Sequence, residues 1–370
     1  MVDQAGKIVI SGYYGFGNLG DEAVLYSMLH ALRRGIPGLE VTVLSNDPPA
    51  TARDYGVRAV DRWNVREVAG AIRRADLLVS GGGSLLQDIT GLQSLFYYLG
   101  VIWLARLLRR PVVYYAQGIG PVTSKSGRRL VGLTTRGVRA VTVRDEESLQ
   151  DLRAMGVRRP VEVTADPVLG LRPEDIDMAA GAEILRRHGV TPGAGVVGVS
   201  VRPLAGPAAW EMELARALDR LARAGRTVVF VPMQSPADLV ISREVAAVMR
   251  EPHVLISEKL NVPQMISLVG NLGLLVGMRL HALIFAAVCG VPPVGIAYDP
   301  KVERFLRRIG VDPAGRPHEI KGDALAGMAE QFLDRRERIA GNITRHVEQL
   351  RRAAGRTAEV VKEILENKIT

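Results

Sequence analysis

The chain has 370 residues, 47% of them hydrophobic, which exceeds one ordinary core and suits two domains. Its one cysteine, Cys289, excludes a disulfide framework and fits a reducing compartment; set in the apolar run 283–291, it reads as core filler. The net charge of +9 rests mostly on arginine, with only seven lysines, and points to anionic lipid or an anionic small molecule. The basic residues are scattered along helical stretches with no zinc-ligand spacing and no aromatic-basic ribonucleoprotein motif, which argues against nucleic acid.

The N-terminus, Met1-Val2-Asp3-Gln4, runs straight into a strand and leaves no room for a signal peptide. No apolar run approaches the roughly 20 residues that span a bilayer. The best, 95–104, is too short and ends against Arg106, Arg109 and Arg110. The expected location is therefore cytoplasmic, with peripheral contact at the inner membrane surface as a further expectation.

Short Val/Ile-rich runs then alternate with helical patterns. Strands are predicted at 7–11, 41–45, 76–80, 111–116, 140–144 and 161–165, with helices such as 21–34 and 92–108 between them. Continuous apolar runs of this kind suit strands buried on both faces of a parallel sheet. The aromatic stretch 95–99 with Trp103 reads as a buried helix, with a membrane-facing role as the alternative. A polar passage, Leu171-Arg172-Pro173-Glu174-Asp175, reads as a linker. A second series follows at 196–201, 227–231, 272–277 and 293–297, and the chain ends in a long polar helix from about Asp323. The expected organisation is an N-terminal α/β domain over 1–170, a C-terminal one over 171–345, and a helix over 346–370 packing back on the first. The predicted fold class is α/β, with two doubly wound Rossmann-like domains facing a cleft. In such sheets ligands sit beyond the carboxyl ends of the strands.

Unusual residues do fall just after predicted strands. The first is followed by Gly12-Tyr13-Tyr14-Gly15-Phe16-Gly17-Asn18-Leu19-Gly20-Asp21-Glu22. Glycines let backbone amides approach a ligand at a helix N-terminus, which makes Gly15, Gly17 and Asn18 binding candidates. Gly15, Gly17 and Gly20 also satisfy G-x-G-x-x-G, so an NAD-dependent dehydrogenase is a rival reading. Its acidic residue is poorly matched, since Ser45-Asn46 ends the second strand and Asp47 comes late. The third strand ends in Ser80-Gly81-Gly82-Gly83-Ser84-Leu85-Leu86-Gln87-Asp88, which adds Gly82, Gly83 and Gln87. The fourth ends in Gln117-Gly118-Ile119-Gly120-Pro121, where Gln117 alone has polar reach. The fifth ends at Arg144-Asp145-Glu146, where Asp145 either caps the next helix and pairs with Arg144 or leaves that arginine for a ligand.

In the second series, strand 272–277 ends at Gly277 and delivers Met278-Arg279-Leu280-His281-Ala282 into an apolar helix. A guanidinium there can hold a carboxylate or phosphate through two parallel hydrogen bonds. The next strand delivers Tyr298-Asp299-Pro300-Lys301. Arg202 and Gln234 follow the two preceding strands and border the same cleft. Asp175-Ile176-Asp177 resembles a sugar-transferase D-x-D but reads as a helix cap. His188, His253, His318 and His346 lack ligand-like spacing, so no metal is expected, and neither a P-loop nor a G-x-S-x-G elbow is present.

These motifs together resemble the polysaccharide pyruvyl transferase family. The resemblance rests on Gly15 to Glu22, Ser80 to Gly83 with Gln87-Asp88, Gln117 to Pro121, Arg144-Asp145 and Arg279-Leu280-His281-Ala282, and runs from Lys7 to about Arg308. Within the family the chain is most similar to the bacterial branch that modifies secondary cell wall polymer for surface-layer anchoring. The resemblance implies a GT-B-like fold, phosphoenolpyruvate as co-substrate, and no further cofactor. It also implies an acceptor such as N-acetylmannosamine in a lipid-linked precursor. It maps an anion site onto Arg144, His281 and Lys301. On this reading Arg144, Arg279 and Lys301 share the donor's carboxylate and phosphate, His281 is the general acid, and Asp21 or Asp88 is the base. Rival functions are a GT-B nucleotide-sugar glycosyltransferase, which would want an acidic ribose ligand not found here, and a non-catalytic anion- or sugar-binding protein.

Overall fold

The computed structural model describes residues 6–89, 91–206 and 209–367, so the N-terminal segment Met1-Val2-Asp3-Gln4 lies outside the described residues. In the first half, β1 (Lys7–Ser11), α1 (Leu19–Gly35), β2 (Glu40–Ser45), α2 (Pro48–Tyr55), β3 (Arg58–Asp61), α3 (Val65–Arg74) and β4 (Leu77–Gly81) alternate strictly. They continue through α4 (Leu92–Leu107), β5 (Val112–Gln117), α5 (Lys125–Arg136), β6 (Ala140–Val143), α6 (Glu146–Ala154) and β7 (Glu162–Val163). The strands form one parallel sheet in the order β3-β2-β1-β4-β5-β6-β7. Every residue of β4 and β5 is buried, as continuous apolar runs in a sheet covered on both faces require.

The second half runs α7 (Met178–Arg187), β8 (Gly193–Ser200), α8 (Ala209–Arg223), β9 (Thr227–Phe230), α9 (Ala237–Val248), β10 (His253–Leu255) and α10 (Val262–Gly270). Then come β11 (Leu272–Gly277), α11 (Leu280–Val288), β12 (Pro293–Gly295), α12 (Pro300–Arg308), α13 (Gly322–Asp334) and α14 (Arg336–Glu366). Its parallel sheet has the order β10-β9-β8-β11-β12. Val199, Phe230, Leu274 and Trp210 lie in its core, and Val9, Leu78, Ile102 and Tyr114 in the core of the first sheet. Helix starts are set by local chemistry: Asp47, Asn64, Ser124 and Asp145 each accept a first-turn amide, and Asn261 with Gln264 forms a reciprocal capping box.

Two compact units divide the described residues. One takes 6–17, 21–171 and 350–367; the other takes 18–20 and 172–349. Within the first, α14 lays Thr357 against Thr164 and Thr142, with hydroxyl separations of 3.2 and 3.4 Å, while Arg351 Nε donates to the Leu171 carbonyl at 3.0 Å.

Several expectations need correction. β3 and β10 are strands the sequence reading passes over; each is a short edge strand, too brief to build a periodic signal. The polar C-terminal helix is two helices, broken at Arg335. Helix α4 is not fully buried: Leu95, Tyr98 and Leu99 face the core, but Phe96 is 46% and Trp103 48% exposed. Cys289 does sit in packing, and burial pushes its thiol up to about 12, far from thiolate chemistry.

Candidate active site

In the first sheet the strand order reverses between β1 and β4, the position where open α/β sheets hold ligands. The loop after β1 is left-handed at Gly15 and Gly17, with φ of 79° and 70°, a backbone that other residues rarely adopt. The Gly15 amide donates to Glu22 Oε1 at 2.8 Å, and the Tyr55 hydroxyl donates to Glu22 Oε2 at 2.7 Å. Glu22 thereby ties the loop to the first turn of α1.

Arg62, missed by the sequence reading, also holds this loop. It is 5% exposed, donates from Nη1 to the Gly12 carbonyl at 2.9 Å, and lies 4.1 Å from the Tyr97 ring centroid and 5.0 Å from that of Phe16. Burial strips the guanidinium of hydration, and its contacts with the aromatic faces offset part of that loss. The only available sequence signal was an Arg at the end of a strand that had itself gone unseen.

After β4, Gly82 and Gly83 again have positive φ, and a Cβ at Gly82 would collide with Val24. A Cβ at Gly83 would lie 2.8 Å from Asp21 Oδ1, so the Asp21 carboxylate faces this loop at close range. The Gly83 carbonyl accepts from the Gly118 amide at 2.9 Å and from Gln117 Nε2 at 3.2 Å. Gln117, expected on a substrate, is fully buried, and its side chain clamps the β4 and β5 loops together. Gln87 is half-buried in the same loop.

Asp88 also departs from expectation. Its carboxylate accepts from the Thr123 amide at 2.8 and 3.0 Å and from the Ser124 amide at 2.8 Å. Those bonds, Ser124 first, lower its pKa to about 2. With the Thr123 hydroxyl donating as well, at 3.1 Å, three donors hold the carboxylate in its charged form and make it a poor proton acceptor, so Asp88 anchors a loop rather than serving as base.

Arg144 is 9% exposed and its charge is met internally. Nε lies 3.2 Å from Asp145, Nη1 3.7 Å from Asp166, and Nη2 donates to Ser84 Oγ at 2.9 Å. Asp145 both pairs with Arg144 and caps α6 through Ser148. Burial pushes the Asp145 carboxyl up, but Arg144 and the Ser148 bonds outweigh it, and the net shift is downward. Two carboxylates thus face one guanidinium, so of the two readings left open by the sequence the pairing of Arg144 with Asp145 is the one formed here.

In the second sheet the order reverses between β8 and β11. Arg279 is the N-cap residue of α11, directly after β11. Its Nε donates to Asp238 Oδ2 at 2.9 Å, and Nη2 donates to Asp238 Oδ1 and to Gln234 Oε1, the latter at 3.0 Å. Asp238 has no exposed surface and also accepts from the Met233 and Gln234 amides at 3.2 and 3.0 Å. The two-pronged grip expected on a ligand is therefore made on Asp238 by Nε and Nη2, and Nη1 takes no part in it. Gln234 is the support of Arg279 and not an independent ligand group. Asp238 was missed, although an acid in the first turn of a helix following β9 was the available signal.

His281 lies half-buried in the first turn of α11. Within the same unit Asn18 forms an isolated bridge with Gln234, its Oδ1 accepts from the Gly20 amide at 3.0 Å, and a Cβ on Gly20 would strike His281 Nδ1. Lys301 stands in the first turn of α12, its Nζ 3.6 Å from Asp299 Oδ2 and its amide capped by Asp299 Oδ1 at 2.9 Å. β11 and β12 are parallel neighbours in register at Gly277 and Gly295, so α11 and α12 begin on the same sheet edge with their amide-rich ends. Gly277 itself is a buried strand residue whose carbonyl accepts from Ile296 at 2.9 Å, which corrects its expected ligand role. Arg202 follows β8 and lies 4.5 Å above the Tyr298 ring.

A cavity of about 520 Å³ adjoins this edge, lined by Trp210, Tyr298, Asp299, Arg316 and His318 among others. Arg279, His281 and Lys301 are not in its wall, so the cationic edge and the cavity are adjacent features sharing Asp299 and Tyr298. Among the described residues no three His, Cys, Asp or Glu side chains gather as a metal site would require.

Residues 18–300 match the family model described as polysaccharide pyruvyl transferase. The chain belongs to the polysaccharide pyruvyl transferase family. That makes it an enzyme, a transferase of polysaccharide biosynthesis with a sugar or polysaccharide acceptor. It is 20% identical to the amylovoran biosynthesis protein AmsJ of Erwinia amylovora, over 97% of this chain and all of that one. Similar solved structures include Anabaena HepE in complex with UDP-glucose, with a TM-score of 0.64 at 14% identity over 98% and 100% of the two chains. UDP-GlcNAc 2-epimerase from Neisseria meningitidis bound to UDP-GlcNAc matches with a TM-score of 0.61 at 12% identity, again over 98% and 100%. A ugt transferase from Siraitia grosvenorii in complex with UDP gives 0.60 at 14% over 97% and 99%. These likenesses establish a GT-B-like α/β fold. The branch that modifies secondary cell wall polymer is a finer assignment than the family.

Proposed function

We propose that this transferase takes pyruvate from phosphoenolpyruvate and attaches it as a cyclic ketal to two hydroxyls of a sugar, releasing phosphate. The observation that carries the reading is the shared edge of β11 and β12, where two helix N-termini bear Arg279, His281 and Lys301. A donor with a carboxylate and a phosphate on three carbons asks for several fixed cations and amide dipoles in a small space. Arg279 would meet it through Nη1, held in place from behind by Asp238 and Gln234; Lys301 supplies a second, mobile charge. Neutralising both groups favours the positive character that develops at C2 when C3 is protonated.

His281 is the proposed acid, delivering that proton or protonating the departing phosphate. One sugar hydroxyl bonds to C2 and gives its proton to a base, the C2–O bond to phosphate breaks, and the second hydroxyl bonds to C2 and closes the ring, giving up its proton in turn; the two hydroxyl protons balance the one added at C3 and the one that leaves with phosphate. With Asp88 bound to backbone amides, Asp21 is the proposed base. The proposed acceptor is N-acetylmannosamine of a lipid-linked wall-polymer precursor handled in the cytoplasm, for surface-layer anchoring. The similarity to an amylovoran biosynthesis protein makes other polysaccharide sugars natural controls.

The test mixes the protein with phosphoenolpyruvate and an N-acetylmannosaminide and follows phosphate release together with the mass of the sugar. Phosphate and a product heavier by one pyruvyl group are expected, as is a raised melting temperature with phosphoenolpyruvate alone. Stabilisation by UDP-sugars instead, with no phosphate released, would transfer the chain to nucleotide-sugar chemistry. Stabilisation by the donor without turnover would leave a binding protein.

A further inference from the structure

Helix α4 is apolar on both faces. Leu95, Leu99, Ile102 and Ala105 pack into the core, while Leu92, Phe96, Trp103 and Leu107 are 42%, 46%, 48% and 79% exposed. Those four positions, with Gly100 between them, step by four, four, three and four residues and so share one side of the helix. A helix whose far side faced only water would carry polar residues there. On the adjoining α5, Leu133 is 51% exposed between Arg129 and Arg136, which are one turn before it and just under one turn after it.

The stripe has a cationic rim. Residues 89–144 contain nine Lys and Arg and no Asp or Glu, a charge equal to the +9 of the whole chain. Arg144 is compensated internally, but Arg106, Arg109, Arg110 and Arg139 border one surface depression at the end of α4, whose lining among the described residues includes no acidic side chain. Arg106 lies 5.2 Å from the Trp103 ring, and the Trp103 indole N–H donates to Thr134 Oγ1 at 2.8 Å. The indole has its hydrogen bond and can place its ring against hydrocarbon without leaving a donor unmatched.

We propose that this face of α4 and α5 docks the protein onto an anionic lipid bilayer surface, with Phe96, Trp103, Leu107 and Leu133 entering the headgroup boundary and the surrounding arginines binding lipid phosphate. Apolar side chains in a row with an arginine border are the arrangement by which a surface helix lies in a membrane interface without spanning it. No helix among the described residues is long and apolar enough to cross a membrane, so contact here is one-sided. The inference rests on this surface alone and stands or falls separately from the pyruvyl chemistry.

The experiment is sedimentation of the full chain with vesicles of equal parts phosphatidylglycerol and phosphatidylcholine, against vesicles of phosphatidylcholine alone. Binding to the anionic vesicles should be stronger by roughly tenfold or more and should weaken as salt screens the arginines. Leu107→Glu with Leu133→Glu should abolish most of it. Both side chains are more than half exposed, so the fold does not depend on them. Arg129→Ala with Arg136→Ala should lower partition by roughly tenfold or more, at about fivefold per basic residue, and Arg129→Lys with Arg136→Lys should restore it. Equal binding to neutral vesicles, or unchanged binding by these variants, would overturn the proposal. So would a dimer in solution that Leu107→Glu splits while vesicle binding persists, because the stripe would then be an interface between two copies.

Discussion

Arg279 and Asp238 form a buried, two-pronged ion pair, with Nε 2.9 Å from Oδ2 and Nη2 on Oδ1, and Asp238 wholly without exposure. The pair has the strength and the vulnerability of charges removed from water. Intact, it fixes the guanidinium plane at the start of α11; without Arg279, the unexposed Asp238 carboxylate loses its cation. Arg279→Ala should therefore cost about 3–5 kcal/mol in urea unfolding. The double variant of Arg279→Ala with Asp238→Ala should cost less than the sum of the two single ones, since each single change leaves its partner unpaired. Additive costs would show that the two side chains do not depend on each other. Arg279→Lys should weaken donor affinity, because an ammonium cannot hold both Asp238 oxygens and Gln234 while keeping a further nitrogen for the donor. Unchanged affinity in that variant would confine Arg279 to a structural role.

His281→Ala bears directly on the proposed acid. Phosphate release should fall by roughly 100- to 10,000-fold, the usual worth of a positioned proton donor, with little change in melting temperature. Near-native turnover would remove the imidazole from the chemistry.

Gly20→Ala tests the position of the ring. Gly20 lies in the first turn of α1, and a Cβ there would strike His281 Nδ1, so the ring must move. Overpacking of this kind costs about 1–3 kcal/mol, and turnover should fall by roughly tenfold to a hundredfold, as displacing a reacting group by an ångström does. If turnover holds, the ring is not kept in place by this contact.

Asp88 has a pH signature. Its folded pKa of about 2 lies below the ordinary 3.8, so its bonds to Thr123 and Ser124 stabilise the fold fully above pH 4. That contribution is lost as pH falls from about 4 towards 2. Asp88→Asn should melt lower than the parent at neutral pH, and the two should converge below pH 4, with turnover little affected near neutrality. A gap that persists at pH 2 would mean the carboxylate charge is not what holds the loop, and a large loss of turnover would restore Asp88 as a catalytic group.

Much of the architecture is legible along the chain. Runs such as Leu77 to Gly81 and Leu272 to Gly277 are apolar throughout because both sheet faces are covered, and such runs announce parallel strands without any knowledge of partners. β3 and β10 were illegible for the complementary reason: at three or four residues on a sheet edge they bury little and carry no periodicity. The apolar texture of α4 was read as burial, yet Phe96 and Trp103 are half exposed, because hydrophobicity alone does not say which side meets the core.

For the site, residue types and their places after strands are local properties, and the sequence by itself determined them: glycines where backbone must turn left-handed or approach closely, and Arg279, His281 and Lys301 at the starts of α11 and α12. What each polar side chain is bonded to was decided only by the tertiary structure. Gln117 turns inward to Gly83, Asp88 to the amides of Thr123 and Ser124, Arg144 to Asp166, and Arg279 to Asp238 across 41 residues of chain. A hydrogen-bond partner is chosen by distance in space, and sequence spacing carries no record of it until the sheet has brought the loops together.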